Sequence, residues 1–341
     1  MNSRLLFISW APYCSRSDGI AVRLGGQSRM IYSPRWGSRY ATVAFKYVSQ
    51  TFKTLWALFR ERPSVVFVMA PPIIAAIPVW LYCLLTGAEL VLDAHSGAFD
   101  NPRWKGLQWL QRFLSRRAAT TIVTGDHFRK LVESWGADAT IVTDVPVLFA
   151  EPQPVDLPAG VNLVLVCSFC SDEPIAEFLR AAAAHPDVHF HITGNPKGLA
   201  AEIRRLAPPN VRLTGFLSDA EYVGLIQAAD GVMALTTMDH TMQRAAYEAV
   251  YLNTPVITSD FPILRSAFPL GTVHVEPTES GIRDGIAEFV RNRELLAEQV
   301  LLLREQKLET WARTAQALCT RFQLPQVAAP TARSAELQPA G

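Results

Sequence analysis

The chain has 341 residues, 49% hydrophobic and 18% charged, enough for one large or two medium cores. Five cysteines, at positions 14, 83, 167, 170 and 319, form no disulfide-like framework, and no signal peptide is recognisable. That argues against a secreted scaffold and for a reducing cytoplasm. The net charge of +1 hides an asymmetry: residues 1–150 hold 17 basic and 9 acidic groups, residues 151–341 hold 15 and 22. Two domains with different partners are expected.

Strand-like runs recur along the chain. RLLFISW, RMIYS, SVVFVMA, AELVLDAH, ATTIVTG and ATIVTDV fill the first half, and VNLVLVCSF, VHFHITG, VRLTGF, GVMALTT, TPVITSD and GTVHVEP the second. Helical patterns at 39–61, 104–117, 173–184, 218–229 and 241–252 lie between them. Short apolar strands alternating with helices predict α/β architecture with parallel sheets covered on both faces. FAEPQPVDLPAG, with three prolines, reads as a linker. The expected division is a domain at 1–149, a linker at 150–160, a second domain at 161–322 and a disordered tail at 323–341. Two doubly wound sheets with a cleft between them would take ligands beyond the carboxyl ends of their strands. Ser64 to Ala88 carries no charge and is long enough to span a bilayer, but Pro71, Pro72 and Pro78 interrupt it. Strand, turn and apolar helix is the better reading.

In the first half, Ser15, Arg16 and Ser17 open a helix in CSRSDGIAVRLGG, as phosphate-binding helix starts or an ordinary cap do. Gly25-Gly26 is only a turn signal. Arg39, Lys46, Lys53 and Arg60 recur every seven residues and drift only about 20° per step, forming one stripe. Phe45, Phe52, Trp56 and Phe59 flank it, while Tyr47, Val48, Leu55 and Leu58 are expected to face the core. Ten basic and two acidic groups occupy residues 1–62. Basic groups beside large aromatics suit an anionic membrane surface, against the alternative of a solvated face. No recognition module accompanies the charge, so nucleic acid is not expected. His189 and His191 alternate on one strand without a third ligand, and Cys167-Ser-Phe-Cys170 is a lone CxxC read as buried small residues, so no metal site is proposed.

DHTMQRAAYEAVYLNTPVITSD, residues 239–260, places a polar loop before a helix expected at Thr241–Leu252. The exposed amides at Thr241 and Met242 favour an anion. Glu248, seven residues or roughly 10 Å of rise further on, leans back toward the helix start. A carboxylate accepts from both hydroxyls of a vicinal diol, so diphosphate and ribose of a nucleotide fit the spacing. An Arg244–Glu248 surface pair at i,i+4 fits it equally.

The stretch resembles the donor-site motif of GT-B glycosyltransferases, especially family-4-like (group 1) enzymes. YEAVYLNTPVITSD follows that motif with Asn253 in the usual glycine place, and ITGNP, VRLTGFLSDAEYVGLIQAAD and VMALTT stand upstream in the family's order. The resemblance covers most of 161–321. It implies the GT-B fold of two Rossmann-like domains, and a donor site from Glu248, His240, Thr241, Met242, Gln243 and Arg244 with Asn195 and Phe216. His240 stands where the family has a first glutamate, and Arg244 or Lys197 would replace its diphosphate-neutralising cations. More loosely, APPIIAAIPVWLYCLLTGAELVLDAHSGAF resembles a segment of chitobiosyldiphosphodolichol beta-mannosyltransferase. In that place His95 would orient the acceptor or hold the donor sugar, and Asp93 would be a general base or a structural cap. Ser15, Arg16 and Ser17 would meet the acceptor.

The resemblance implies sugar transfer from a nucleotide-diphosphate donor, and the basic aromatic stripe adds the expectation of a lipid-linked acceptor and a peripheral enzyme at the cytoplasmic face of a membrane. No metal or cofactor is expected. The alternatives are a nucleotide-sugar epimerase of the same fold and a non-catalytic nucleotide-sugar-binding subunit.

Overall fold

The computed structural model describes residues 4–33, 40–195 and 201–325. It divides the chain into two units, Met1–Val147 with Glu309–Gly341, and Leu148–Leu308.

The first unit runs β1 (Leu5–Ser9), α1 (Ser15–Arg23), β2 (Gln27–Met30), α2 (Tyr40–Glu61), β3 (Val65–Ala70), α3 (Ala76–Thr86), β4 (Glu89–Ala94), α4 (Gly97–Asp100), α5 (Gln108–Ser115), β5 (Thr120–Val123), α6 (Asp126–Ser134) and β6 (Ala139–Ile141). Its sheet is parallel, in the order β2-β1-β3-β4-β5-β6. All six residues of β3, VVFVMA, are buried, which requires helices on both faces. On one face Leu6, Ile8, Val66, Val68 and Leu92 pack with Leu58 of α2, Tyr82 of α3 and Leu110 and Leu114 of α5. The other face, with Leu5, Phe7, Phe67 and Val91, is covered by Ile20 and Leu24 of α1.

The second unit runs β7 (Val161–Val166), α7 (Ile175–Ala183), β8 (Val188–Thr193), α8 (Ala201–Arg204), β9 (Val211–Gly215), α9 (Asp219–Ala228), β10 (Gly231–Ala234), α10 (Arg244–Tyr251), β11 (Val256–Ser259), α11 (Pro262–Ala267), β12 (Thr272–Val275) and α12 (Glu279–Arg321). Its strand order is β12-β11-β10-β7-β8-β9, again parallel. The order reverses between β7 and β10, the point where doubly wound sheets take ligands. SDAE starts α9 with a reciprocal cap: Ser218 Oγ accepts from the Glu221 amide, and the Glu221 carboxylate accepts from the Ser218 amide at 2.8 Å.

All twelve expected strands are present. One element departs from the expected division. The beginning of α12 packs Ile282, Ile286 and Phe289 into the second unit, but Trp311, Leu318, Cys319 and then Phe322 pack against β1, β3 and α1 of the first. Residues 309–322 therefore group with the first unit rather than the second. Phe322 and Leu324 are buried, so the packed chain continues past residue 323, where a tail was expected; 326–341 lie outside the described residues. Residues 64–88 form β3, a short 3-10 turn at Ile73–Ala75 and α3. Among the described residues no helix is long and apolar enough to cross a membrane. The expected helix at 104–117 begins as a 3-10 turn, Pro102–Leu107, and becomes α-helical only past Gly106, a residue that weakens a helix interior.

Candidate functional site

In the second unit the candidate residues gather along the carboxyl edge of the sheet. α10 begins at Arg244, with Gln243 as its N-cap, so Thr241 and Met242 lie in the loop and not at the helix start. The amides without helical acceptors are then those of the first turn from Arg244. His240 takes a left-handed backbone at φ 58°, and its amide donates to Asp239 Oδ1 at 2.6 Å. Glu248 lies in the second turn, its side chain only 11% exposed. Arg244 Nε donates to Glu248 Oε1 at 2.6 Å, and Tyr222 Oη donates to Oε2 at 2.8 Å. Burial, and then the charge of Glu248, push the Tyr222 hydroxyl far up, so it stays protonated and a donor. Both carboxylate oxygens are thus held in place, and each keeps lone-pair capacity for a further donor. The i,i+4 pair and a diol-binding carboxylate are compatible. Tyr222 was not foreseen from sequence.

Nor were the ties that shape the loops. Thr236 Oγ1 donates to Asp172 Oδ2 at 3.1 Å, the Thr237 amide to the Asp172 carbonyl at 2.7 Å, and Ser259 Oγ to the Thr236 carbonyl at 2.6 Å. The loops after β7, β10 and β11 are joined into one rim. In the loop after β7 the Glu173 carboxylate accepts from the amides of Ser168, at 2.9 Å, and Cys170, at 2.8 Å. An internal carboxylate thereby fills the amides that could receive an anion from outside. Gly194, at φ 106°, closes this loop against β8; a Cβ there would stand 2.2 Å from the Cys167 carbonyl oxygen. Asn195 follows it on the exposed edge. Phe216, after Gly215 at the end of β9, is 85% exposed, an open aromatic face on the same edge. Lys197 lies outside the described residues.

Cys167 is buried, donates to the Thr193 carbonyl at 3.3 Å, and has its thiol pushed up to about 12, mainly by burial. Cys170, expected to be buried, is exposed because the loop turns outward at Phe169, φ 58°. His191 pairs with Asn162 Oδ1 at 3.0 Å and His189 with the Ala159 carbonyl at 3.2 Å. Among the described residues no group of three or more His, Cys, Asp or Glu is placed to hold a metal ion.

The first unit brings Arg16, Asp93 and His95 together at the ends of β4 and the start of α1. Asp93 is fully buried. Arg16 Nε lies 3.2 Å from its Oδ2 and Nη2 3.3 Å from its Oδ1, while Nη2 also donates to the Val142 carbonyl at 2.7 Å. His95 Nε2 lies 3.2 Å from Asp93 Oδ2, with 31% of its side chain exposed. Burial raises the Asp93 carboxyl pKa, but the charges and hydrogen bonds of Arg16 and His95 outweigh it and hold the group at about 2. A carboxylate so acidic and so enclosed is a poor proton acceptor for substrate. That setting suits the structural cap of the two alternatives, a carboxylate positioned to orient His95.

Two acceptor-binding assignments fail on the same geometry. The Arg16 side chain is committed to Asp93 and Val142. Ser17 is fully buried, accepting from Ser9 Oγ at 2.7 Å and donating to Cys14 Sγ at 3.1 Å. Ser15 sits half-buried at the first residue of α1.

On α2, Phe45 (62%), Phe52 (69%), Trp56 (64%) and Phe59 (47%) are exposed. Lys46 lies over the Tyr32 ring at 4.5 Å, Lys53 Nζ donates to Ser33 Oγ at 3.1 Å, and Arg60 lies over Trp56 at 4.9 Å. Arg39 lies outside the described residues. Val48 faces outward, not toward the core; Gln50 and Thr54 face inward instead, Gln50 Nε2 donating to the Ile31 carbonyl at 2.7 Å while its Oε1 stays buried without a partner, and Thr54 Oγ1 accepting from Trp10 Nε1 at 2.9 Å.

Residues 12–148 match the Glycosyl transferase 4-like domain, and residues 162–305 the domain named Glycosyl transferases group 1. No curated protein matches the chain in sequence. Sucrose-phosphate synthase from Thermosynechococcus elongatus is similar in structure, with a TM-score of 0.71 at 14% identity over 94% of this chain and 98% of that one. The Anabaena protein HepE, solved with UDP-glucose, gives 0.68 at 12% identity over 93% and 99%. A protein from Listeria monocytogenes described as a putative UDP-N-acetylglucosamine 2-epimerase gives 0.63 at 11% identity over 95% and 98%. Likeness at such identities shows a shared fold.

Proposed function

Because the chain belongs to the group 1 glycosyltransferases of the GT-B fold, we propose that it takes its sugar from a nucleoside-diphosphate donor and delivers it to a lipid-linked acceptor at the cytoplasmic face of an anionic membrane. The observation that carries the donor reading is Glu248, a nearly buried carboxylate locked by Arg244 and Tyr222 in the second turn of α10. It accepts from the ribose diol. The first-turn amides of α10, with Arg244, stabilise the departing diphosphate without a metal ion. Phe216 offers a stacking face for the base, and Asn195 a polar contact beside it. His240, turned out at a left-handed position, meets the donor sugar where the family's glutamate would. In the other unit His95, held by Asp93, orients the acceptor hydroxyl or the sugar, and Ser15 lies at the neighbouring helix start.

The aromatic and basic residues of α2 support the membrane side of the reading, since large aromatics beside cations suit an anionic interface. The matches of both halves to glycosyltransferase domains favour transfer over the epimerase and over a non-catalytic binder.

The test is a thermal-shift screen of nucleoside diphosphates and their sugars, beginning with UDP and UDP-glucose because HepE was solved with the latter. A ligand at about 100 times its Kd raises stability by about 2.7 kcal/mol through mass action. Stabilisation by one nucleoside diphosphate, lost in Glu248→Ala, is expected. Equal stabilisation of wild type and variant would place the nucleotide elsewhere.

A further inference from the structure

Between residues 101 and 125 the chain holds five basic residues, Arg103, Lys105, Arg112, Arg116 and Arg117, and no acidic one. α5 runs through this stretch with Leu110, Gln111, Leu114 and Ser115 buried, so its outer face is left to Trp109, 66% exposed, Arg112 and Arg116. A pocket of about 570 Å³ opens there, lined by Trp109, Arg112, Phe113, Arg116, Arg117 and Trp135 among others.

The arginines are oriented, but not by carboxylates. Arg116 Nε donates to the Trp135 carbonyl. Arg117 lies 3.5 Å over the Phe113 ring and donates to the Phe113 carbonyl at 3.1 Å. Phe113 is braced edge-on against Trp80 of α3 at 5.5 Å. Among the described residues no ion pair involves Arg112, Arg116 or Arg117. Three guanidinium groups line one pocket, Arg116 and Arg117 pre-set by ring and backbone contacts and Arg112 beside them, and form a site for a multiply charged oxyanion, which their forked donors match.

The surroundings say where that oxyanion comes from. α2, α3 and α5 cover the same face of the first sheet. On α3, Leu81 (39%), Leu84 (67%) and Leu85 (74%) point outward, beside the exposed aromatics of α2. The one acidic residue of these three helices, Glu61, is already paired with Arg29 at 2.9 Å. An apolar, aromatic surface without free acids suits the boundary of a bilayer, and a nucleic-acid ligand would leave its leucines in water.

We propose that the α5 pocket binds the phosphate of an anionic lipid and anchors the first unit to the bilayer. The assignment rests on the membrane reading of α2 and adds a headgroup site to it. A phosphomonoester, with more charge and more free oxygens than a diester, fills three guanidinium groups better. Lipids such as phosphatidic acid are therefore preferred over phosphatidylglycerol.

The experiment is co-sedimentation of the full chain with phosphatidylcholine vesicles containing phosphatidic acid, or phosphatidylglycerol at matched surface charge. Wild type is compared with Arg112→Gln, with Arg112→Gln/Arg116→Gln, and with Lys46→Glu/Lys53→Glu, all checked for folding by circular dichroism. Arg112→Gln removes no ion pair and serves if the double variant misfolds. The expected result is a preference of wild type for phosphatidic acid, at least a tenfold loss of vesicle affinity in the α5 double variant, and loss of that preference in either α5 variant. The α2 variant should bind more weakly but keep the preference. If wild type ignores all vesicles, the membrane reading itself falls. If wild type binds and the α5 variants bind as well, with only the α2 variant released, the pocket assignment alone is overturned. α5-dependent binding to RNA with unchanged vesicle binding would also overturn it.

Discussion

Asp93→Asn separates an anchoring carboxylate from a chemical one. In the wild type, Arg16 directs Nε and Nη2 at Asp93, itself without exposed surface, and only 18% of the Arg16 side chain is open to water. Asparagine keeps the shape but removes the charge, and Arg16 then retains the Val142 carbonyl and one neutral amide oxygen as acceptors. Breaking a buried pair from one side costs about 3–5 kcal/mol. The remaining amide oxygen still accepts, so the lower end applies, and the melting temperature should fall by about 6–12 °C for a unit of this size. The pH dependence follows from the same pair. The carboxyl is held at about 2, below its usual value of 3.8. Its contribution is therefore complete above pH 4 and is lost as pH falls through 2, on the order of 2 kcal/mol across that window. The gap between wild type and Asp93→Asn should narrow as pH drops from 4 toward 2. Thermal melts followed by near-ultraviolet circular dichroism at pH 7, 4, 3 and 2 measure both effects. A variant melting within 2 °C of wild type at pH 7, while sugar transfer collapses, would refute the anchoring role and make Asp93 a reacting group.

Glu248→Ala should weaken nucleotide binding by about 1–3 kcal/mol, measured by calorimetry, because a ribose hydroxyl loses a charged acceptor. Tyr222→Phe removes the donor to Glu248 Oε2 and should cost about 0.5–1.5 kcal/mol of stability in denaturant unfolding; no change would mean the hydroxyl is equally well solvated without Glu248. Phe216→Ala should weaken nucleotide binding by about 1–3 kcal/mol if the base stacks there, while the melting temperature of the free protein stays put, since the ring is 85% exposed. Gly194→Ala should destabilise markedly in thermal melts, because its Cβ would meet the Cys167 carbonyl at a backbone angle that alanine resists.

The central strands were legible because they are short apolar, largely β-branched runs buried on both faces, a pattern that needs no partner to be recognised. The helical pattern at 218–229 became α9, Asp219–Ala228, whose SDAE start carries its own reciprocal cap. α10 was placed three residues too early because Thr241, Met242 and Gln243 carry nothing that separates a polar loop from a polar first turn. The site was half-visible for a related reason. Glu248 and Arg244 are four residues apart and could be read as a pair, whereas Tyr222 is 26 residues from Glu248 and Asp172 is 64 from Thr236. Such contacts exist only once the sheet order is known. Arg16 reads in the sequence as an acceptor contact and Asp93 as a general base or cap; that the two, 77 residues apart, pair with one another shows only in the fold.

The division of α12 between two cores imposes an order on synthesis. The sheet of the first unit is translated by residue 147, yet the residues that close one of its faces, Trp311, Leu318 and Phe322, come after the whole of Leu148–Leu308. At ribosomal speeds of about 5–20 residues per second, that face waits roughly 8–30 s for its cover. Phe7 and Phe67, fully buried in the finished protein, lie beneath it during that time. The nascent first half is thus a natural client for chaperones. Expressed alone, residues 1–147 should aggregate, and a peptide spanning 309–325 supplied in trans should restore their solubility.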